Sequence, residues 1–395
     1  SYIMETSMNY NRMTTIFFIS GIIVMASLYT ALPLTSVFAK DFGISNAVAS
    51  LNGVIFSITY SLSCLFYGTI SEKFGRIRTI LFGLIGLVII CLLIGFIHSF
   101  TLLIILRAIQ GICAAAFSPV SITYVTETYS PVKRVTAISF ISTSFMLSGV
   151  IGQNLSEIVV RYSNWHMVYF ILTLLYIFIA VLIYKYIPES PVKNPQLKLV
   201  GFFKNFKDFK DNKIVILCYL ISLSLLTMFI SMYTIFNHYI TSDIVGGSEA
   251  TAINAKLFGI IGMLLSLLAG RISDRTGVKH VIVGALIVSI VSLILMGFTT
   301  NVILLVIWSV LFVGGIAFAI PSTISKVGMV VNRNQGFFLS VNTFILFLGT
   351  AIAPLLMILI QPLSNFTLQF IIIAAIGIIA LIVALLLPRR KNVIR

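Results

Sequence analysis

The sequence predicts an all-α membrane protein of twelve transmembrane helices, built as two six-helix bundles related by pseudo-symmetry. Three observations carry this reading. Of 395 residues, 59% are hydrophobic and only 9% charged, whereas a soluble domain has about a quarter of its residues charged. Twelve apolar runs, each near the ~20 residues that a bilayer crossing needs, alternate with polar breaks. A pattern of glycines and charges that follows the second run returns after the eighth, 202 residues later.

The runs centre near residues 26, 59, 87, 113, 147, 176, 226, 261, 288, 313, 349 and 377. In lipid a spanning segment must satisfy its own backbone, so each is read as a helix. The net charge of +15 would suit nucleic acid, but its placement argues for a membrane. With the N-terminus inside, every Lys and Arg except Lys40, Arg107, Arg161 and Lys256 falls on the cytoplasmic side, as the positive-inside rule requires. Both termini are therefore expected in the cytoplasm, with the lipid bilayer as partner and no nucleic acid. The four cysteines, Cys64, Cys91, Cys113 and Cys218, lie in apolar runs without metal-ligand spacing, so no disulfide framework or metal site is expected.

The first apolar run, Ile16 to Phe38, is long enough to span and does not read as a cleaved leader. Residues 1–7 precede Met8 and read as an expression scar. The expected division is a cytoplasmic N-terminus over 1–13, a first bundle over 14–186, a cytoplasmic linker over 187–213, a second bundle over 214–387 and a cytoplasmic C-terminus over 388–395. The linker holds Pro188, Pro191 and Pro195, then a Lys/Phe/Asp stretch from Phe202 to Lys213 with the composition of a short amphipathic helix at the membrane surface.

The repeated pattern is Gly68, Glu72, Lys73, Gly75, Arg76 and Arg78 in the first half, and Gly270, Asp274, Arg275, Gly277 and Lys279 in the second. The first copy resembles the loop signature Gly-x-Leu-x-Asp-Arg-x-Gly-Arg-Arg of the major facilitator superfamily, with Glu72 in the Asp place. Arg107, Gln110 and Gly111 resemble that family's Arg-x-x-Gln-Gly element in the fourth span. Glu127, Pro131 and Arg134 fit its acidic-then-basic pattern, and Asn164, Trp165, His166 and Phe170 resemble the element that opens its sixth span. The resemblance covers essentially the whole chain and is strongest to the twelve-helix drug:proton antiporter branch. It implies a monomeric secondary transporter of a small molecule, working by alternating access. The energy source would be the proton gradient, without a cofactor, and the location a bacterial-type cytoplasmic (inner) membrane.

Within that frame Gly68, Glu72, Gly75, Arg76, Arg78, Glu127 and Arg134, with Asp274 and Arg275 in the second half, are expected to form a conformational latch. The alternative is that these cations only obey the positive-inside rule. The antiporter branch carries Gly-x-x-x-Gly-Pro-x-x-Gly-Gly in the fifth span, where this chain keeps Gly149 and Gly152, a pair that suits close helix packing. Gly149 replaces the proline and Gln153 the last glycine, which leaves uptake by symport open beside export.

An ionisable group inside a span is a functional candidate. Arg107 lies about six residues into the fourth span, roughly 9 Å deep at ~1.5 Å per residue, and Lys256 lies at similar depth in the eighth. No Asp or Glu falls near the middle of any run, whereas carriers of lipophilic cations usually rely on one. The expected substrate is therefore anionic or zwitterionic, held by Arg107 and Lys256, and an opine-type metallophore is an example. Multidrug efflux is the competing reading, and a non-transporting membrane sensor a third. Tyr29, Asn52, Gln110, Tyr233, Asn237 and Asn342, with Tyr60, Ser118 and Asn254, are polar positions able to face a cavity or to bridge helices. For Arg107 the competing role is bracing helices, and for Lys256 it is snorkelling to the interface. Glu157 and His238 are the proton-coupling candidates, His having the suitable unperturbed pKa. No motif of a nucleotide-driven pump, zinc protease or serine hydrolase is present, so no enzyme is expected.

Overall fold

The computed structural model describes residues 8–389. The expression scar read at 1–7 and the last six residues of the C-terminus lie outside them. Among the described residues twelve helices are long and apolar enough to cross a membrane, and there are no strands. We number them α1 (Tyr10–Phe42), α2 (Asn46–Phe74), α3 (Arg76–Ile94), α4 (Phe100–Thr128), α5 (Pro131–Tyr162), α6 (Trp165–Tyr186), α7 (Lys213–Ile240), α8 (Glu249–Thr276), α9 (Val278–Phe298), α10 (Val302–Val330), α11 (Gln335–Leu363) and α12 (Phe366–Leu385). Each run centre expected from the sequence falls inside one of them.

The chain folds into two compact units. The first takes the chain through Phe203 together with Gln335–Ser340, and the second takes Lys204–Asn334 and the chain from Val341 onward. The linker stretch, read as a short amphipathic helix from Phe202 to Lys213, is helical over Leu199–Asp211 and winds as a 3-10 helix. Its Phe202 is buried and packs on Phe66 at 4.7 Å between ring centroids.

Burial is inverted relative to a soluble protein. Large apolar residues such as Phe82, Ile85 and Ile89 on α3, or Ile378, Ile379 and Ile382 on α12, are exposed, while Ser20, Ser27, Asn52, Arg107 and Gln110 are buried. Apolar surface faces lipid at no cost, whereas a polar group there goes unsatisfied. Glycines permit close approach in the interior. A Cβ on Gly262 of α8 would lie 2.5 Å from the Val310 carbonyl oxygen of α10. One on Gly111 of α4 would lie 2.7 Å from the Phe56 carbonyl oxygen of α2.

The two halves reproduce one turn. Gly75 alone joins α2 to α3 with φ 105° and ψ 139°, and Gly277 alone joins α8 to α9 with φ 91° and ψ 150°. Side chains rarely adopt that φ, so the repeated glycines in the sequence follow from backbone geometry.

Candidate functional site

Two polar clusters in the first unit and one cavity in the second collect most of the residues singled out by the sequence. The first cluster surrounds Arg107, which is 0% exposed. Its Nη1 donates to the Ser27 carbonyl at 2.9 Å and to Gln110 Oε1 at 2.8 Å. Its Nε donates to the Asn52 carbonyl at 3.3 Å, and the guanidinium lies 4.5 Å from the centroid of the Phe56 ring. Gln110 Nε2 donates in turn to Cys91 Sγ at 3.3 Å, and Ser27 Oγ is hydrogen-bonded to the Tyr176 hydroxyl. The guanidinium thus ties α1, α2 and α4 together through main-chain carbonyls. Arg107 Nη2, Asn52 Oδ1 and the Tyr169 hydroxyl are buried without a hydrogen-bond partner. No carboxylate pairs with Arg107, and the buried ion pair of this unit lies elsewhere.

That ion pair is the core of the second cluster. Arg76 Nε donates to Glu127 Oε1 at 2.9 Å and Nη2 to Oε2 at 3.3 Å, with both side chains buried. Arg76 Nη1 reaches the Gly68 carbonyl at 2.7 Å and Ser71 Oγ at 2.6 Å. A Cβ on Gly68 would fall 2.5 Å from the carbonyl carbon of Gly336, in the 335–340 segment that groups with this unit. The structure therefore brings Gly68, Gly75, Arg76 and Glu127 together. It leaves others of the expected latch out. Arg78 is exposed, and Arg134 turns to the Tyr129 carbonyl at 2.9 Å. Glu72 stays at the cluster's edge: its carboxyl lies within electrostatic reach of Arg76 and Glu127, and its main-chain carbonyl accepts from the Asn194 amide at 2.8 Å. Asp274 and Arg275 are exposed.

The sequence reading missed the strap that closes this cluster. Glu189 accepts from the Ile77 amide at 2.9 Å and from the Arg78 amide at 2.9 Å, so a carboxylate caps the N-terminus of α3 where charge and orphan donors favour it. Ser190 Oγ donates to Glu127 Oε1 at 2.8 Å, and Tyr124 donates to the Pro188 carbonyl at 2.6 Å. An acidic residue beside prolines just past the sixth run was the available signal. Tyr129, in the loop between α4 and α5, bonds Thr14, and burial pushes its phenol above the usual tyrosine range.

In the second unit, a cavity of about 600 Å³ is lined by Asn237, His238, Thr241, Glu249, Ala252, Ile253, Lys256 and Phe366. Lys256 Nζ lies 5.7 Å from the centroid of the Tyr233 ring. The Tyr233 hydroxyl and Asn237 Oδ1 are buried without a hydrogen-bond partner. Asn342 lies elsewhere in this unit, accepting from Ser222 Oγ at 2.7 Å. Glu157 lines a separate recess of about 320 Å³ in the first unit with Arg161. Tyr29 sits against Gly149, whose Cβ position is 3.6 Å from its ring, while Gly152 abuts the Ala26 main chain of α1. Tyr60 donates to Ser118 Oγ at 2.5 Å, a helix bridge.

The family model of the Major Facilitator Superfamily matches residues 17–263 and 239–394. The chain belongs to the Major Facilitator Superfamily. Like other members of that superfamily it is a multi-pass membrane transporter. It is 24% identical over 291 residues to the uncharacterized MFS-type transporter YybF of Bacillus subtilis, covering 72% of this chain and 70% of that protein. It is 21% identical over 302 residues to the multidrug resistance protein MdtG of Salmonella typhimurium, covering 74% of each. Among solved structures, the human organic anion transporter MFSD10 superposes with a TM-score of 0.76 at 17% identity, over 95% of this chain and 100% of that one. The Escherichia coli fucose:proton symporter FucP gives 0.78 at 16% identity, over 96% and 98%. At these identities the superpositions establish the fold.

Proposed function

We propose that the chain is a secondary active exporter of a small organic molecule that carries a carboxylate, anionic or zwitterionic, in exchange for protons. An opine-type metallophore is one molecule of this kind. The supporting observation is Arg107: a guanidinium buried inside α4, with Nη2 unpartnered and no carboxylate beside it. A buried charge without a counter-charge is costly, and a bidentate carboxylate is the partner a guanidinium fits best. In the state described here the group is covered, so the reading requires a second state that uncovers Nη2, as alternating access supplies. The protein works as a monomer in a bacterial inner membrane with both termini cytoplasmic, and Glu157 and His238 are the residues assigned to proton coupling.

A second reading is multidrug efflux of amphiphilic compounds, favoured by the relatives named multidrug resistance proteins. One comparison separates the two. Cells and medium of a deletion strain and a complemented strain are surveyed by untargeted mass spectrometry. Export of a carboxylate is supported by an acidic or zwitterionic metabolite that builds up inside the deletion strain and disappears from its medium. Accumulation of lipophilic cationic dyes, with no such metabolite moving, would instead assign multidrug efflux.

A further inference from the structure

We propose that the cavity in the second unit is a recognition site for an amino-carboxylate zwitterion, its carboxylate held at Lys256 and its ammonium at Glu249. The inference rests on the carboxylate-bearing substrate class proposed above, makes Lys256 rather than Arg107 the carboxylate's partner at this site, and adds the second charge. Glu249 and Lys256 both line the cavity and both belong to α8, seven residues apart. Seven residues is two turns of helix, so the two side chains leave one face about 10 Å apart along the axis. At that spacing one short dipolar molecule can reach both.

The remaining lining agrees with such a ligand. Asn237 contributes an Oδ1 that is buried and unpartnered, an acceptor suited to an N–H of the bound amine. Tyr233, 9% exposed, is not part of the lining but lies beneath it, its ring centroid 5.7 Å from the Lys256 ammonium. Ile253 and Phe366 supply apolar wall for a methylene chain between the two charges. A dicarboxylate would set one anionic end against Glu249 and a diamine one cationic end against Lys256, so like-charge repulsion rejects both. The cavity volume, about 600 Å³, is that of a small-molecule site.

The test uses the full-length protein in detergent or nanodiscs, with ω-amino acids from β-alanine to 6-aminohexanoate as probes. Glutarate and cadaverine, of similar length but carrying two like charges, are the controls. Thermal unfolding is followed at about 10 mM ligand, where binding to the folded state alone raises the midpoint. At least one ω-amino acid is expected to raise it, with glutarate and cadaverine ineffective. Lys256→Gln and Glu249→Gln are each expected to weaken that ligand about tenfold or more, a difference of about 1.4 kcal/mol or more. The exchange Lys256→Glu with Glu249→Lys, which keeps both charges on the face, is expected to recover part of the loss. Equal stabilisation by glutarate or cadaverine, no shift with any ω-amino acid, or variants that bind as the parent does would each overturn the site. The unliganded midpoints show whether a variant is folded, and the charge exchange stands as the second variant should a single one fail. Secretion measured in cells is a separate readout. Its failure alongside intact binding would sink the proposed export and leave this site standing.

Discussion

Arg76 and Arg107 are both buried guanidiniums on the first unit, and the presence or absence of a counter-charge separates their roles. Arg76 is matched in two contacts by Glu127, so it reads as a structural tie. Removing one partner of a buried pair leaves an isolated charge, so Glu127→Gln is expected to destabilise by about 3 kcal/mol. A marked fall in the unfolding midpoint of the purified protein would show it, and an unchanged midpoint would contradict the burial of the pair. Arg107 spends its donors on two main-chain carbonyls and Gln110, and keeps Nη2 in reserve. Lysine retains the charge but loses the planar fork. Arg107→Lys is therefore expected to cut export about tenfold while the protein still folds, read as substrate efflux from loaded cells. The sequence marked Arg107 because a charge inside an apolar run stands out. It could not mark Ser27, Tyr176 or Cys91, since hydroxyls and thiols are ordinary in spanning helices and only folding places them beside the guanidinium.

Helix starts show how local chemistry fixes each element. All six even-numbered helices begin at a Ser or Asn whose side chain accepts from a main-chain amide: Ser45, Ser99, Asn164, Ser248, Asn301 and Asn365. Among the odd-numbered ones only α1 does so, through Asn9. Helices α3 and α9 start instead from the positive-φ glycines Gly75 and Gly277, and α3 borrows Glu189 as its cap. The caps were not singled out from the sequence, whereas the glycine turns were legible as a repeated motif. The strap was not, because residues 187–213 have a linker's composition, and nothing local says that Glu189 turns back to residues 112 positions earlier. Helix contacts can be tested by a pair of glycines. Gly262→Leu drives a side chain into the Val310 carbonyl and is expected to lower the unfolding midpoint clearly, overpacking of this kind costing about 1–3 kcal/mol. Gly284→Ala, where nothing lies within 4 Å of the new Cβ, is expected to be neutral or to stabilise by about 0.5–1 kcal/mol through helix propensity. Equal behaviour of the two in a thermal-stability assay would refute the packing assigned to α8 and α10.

At the scale of the whole molecule, the twelve spans were legible because lipid imposes one rule on every segment: about 20 apolar residues with an internally bonded backbone. The second state that transport requires was not legible, since a sequence records contacts made and broken in different states without separating them. Orientation is the molecular property that this chain encodes most redundantly, through basic residues on one side of nearly every pair of spans. It can be read with single cysteines once Cys64, Cys91, Cys113 and Cys218 are replaced. Ser163 and Arg333 are exposed, in the loops before α6 and after α10, with five spans between them. An odd number of crossings must put the two positions on opposite faces. Ser163→Cys is expected to react with a membrane-impermeant maleimide in whole cells, and Arg333→Cys only after permeabilisation. The reverse pattern would invert the molecule and turn the Lys256 cavity toward the cytoplasm. Reaction of both from outside would mean that one of the five intervening helices does not cross the membrane.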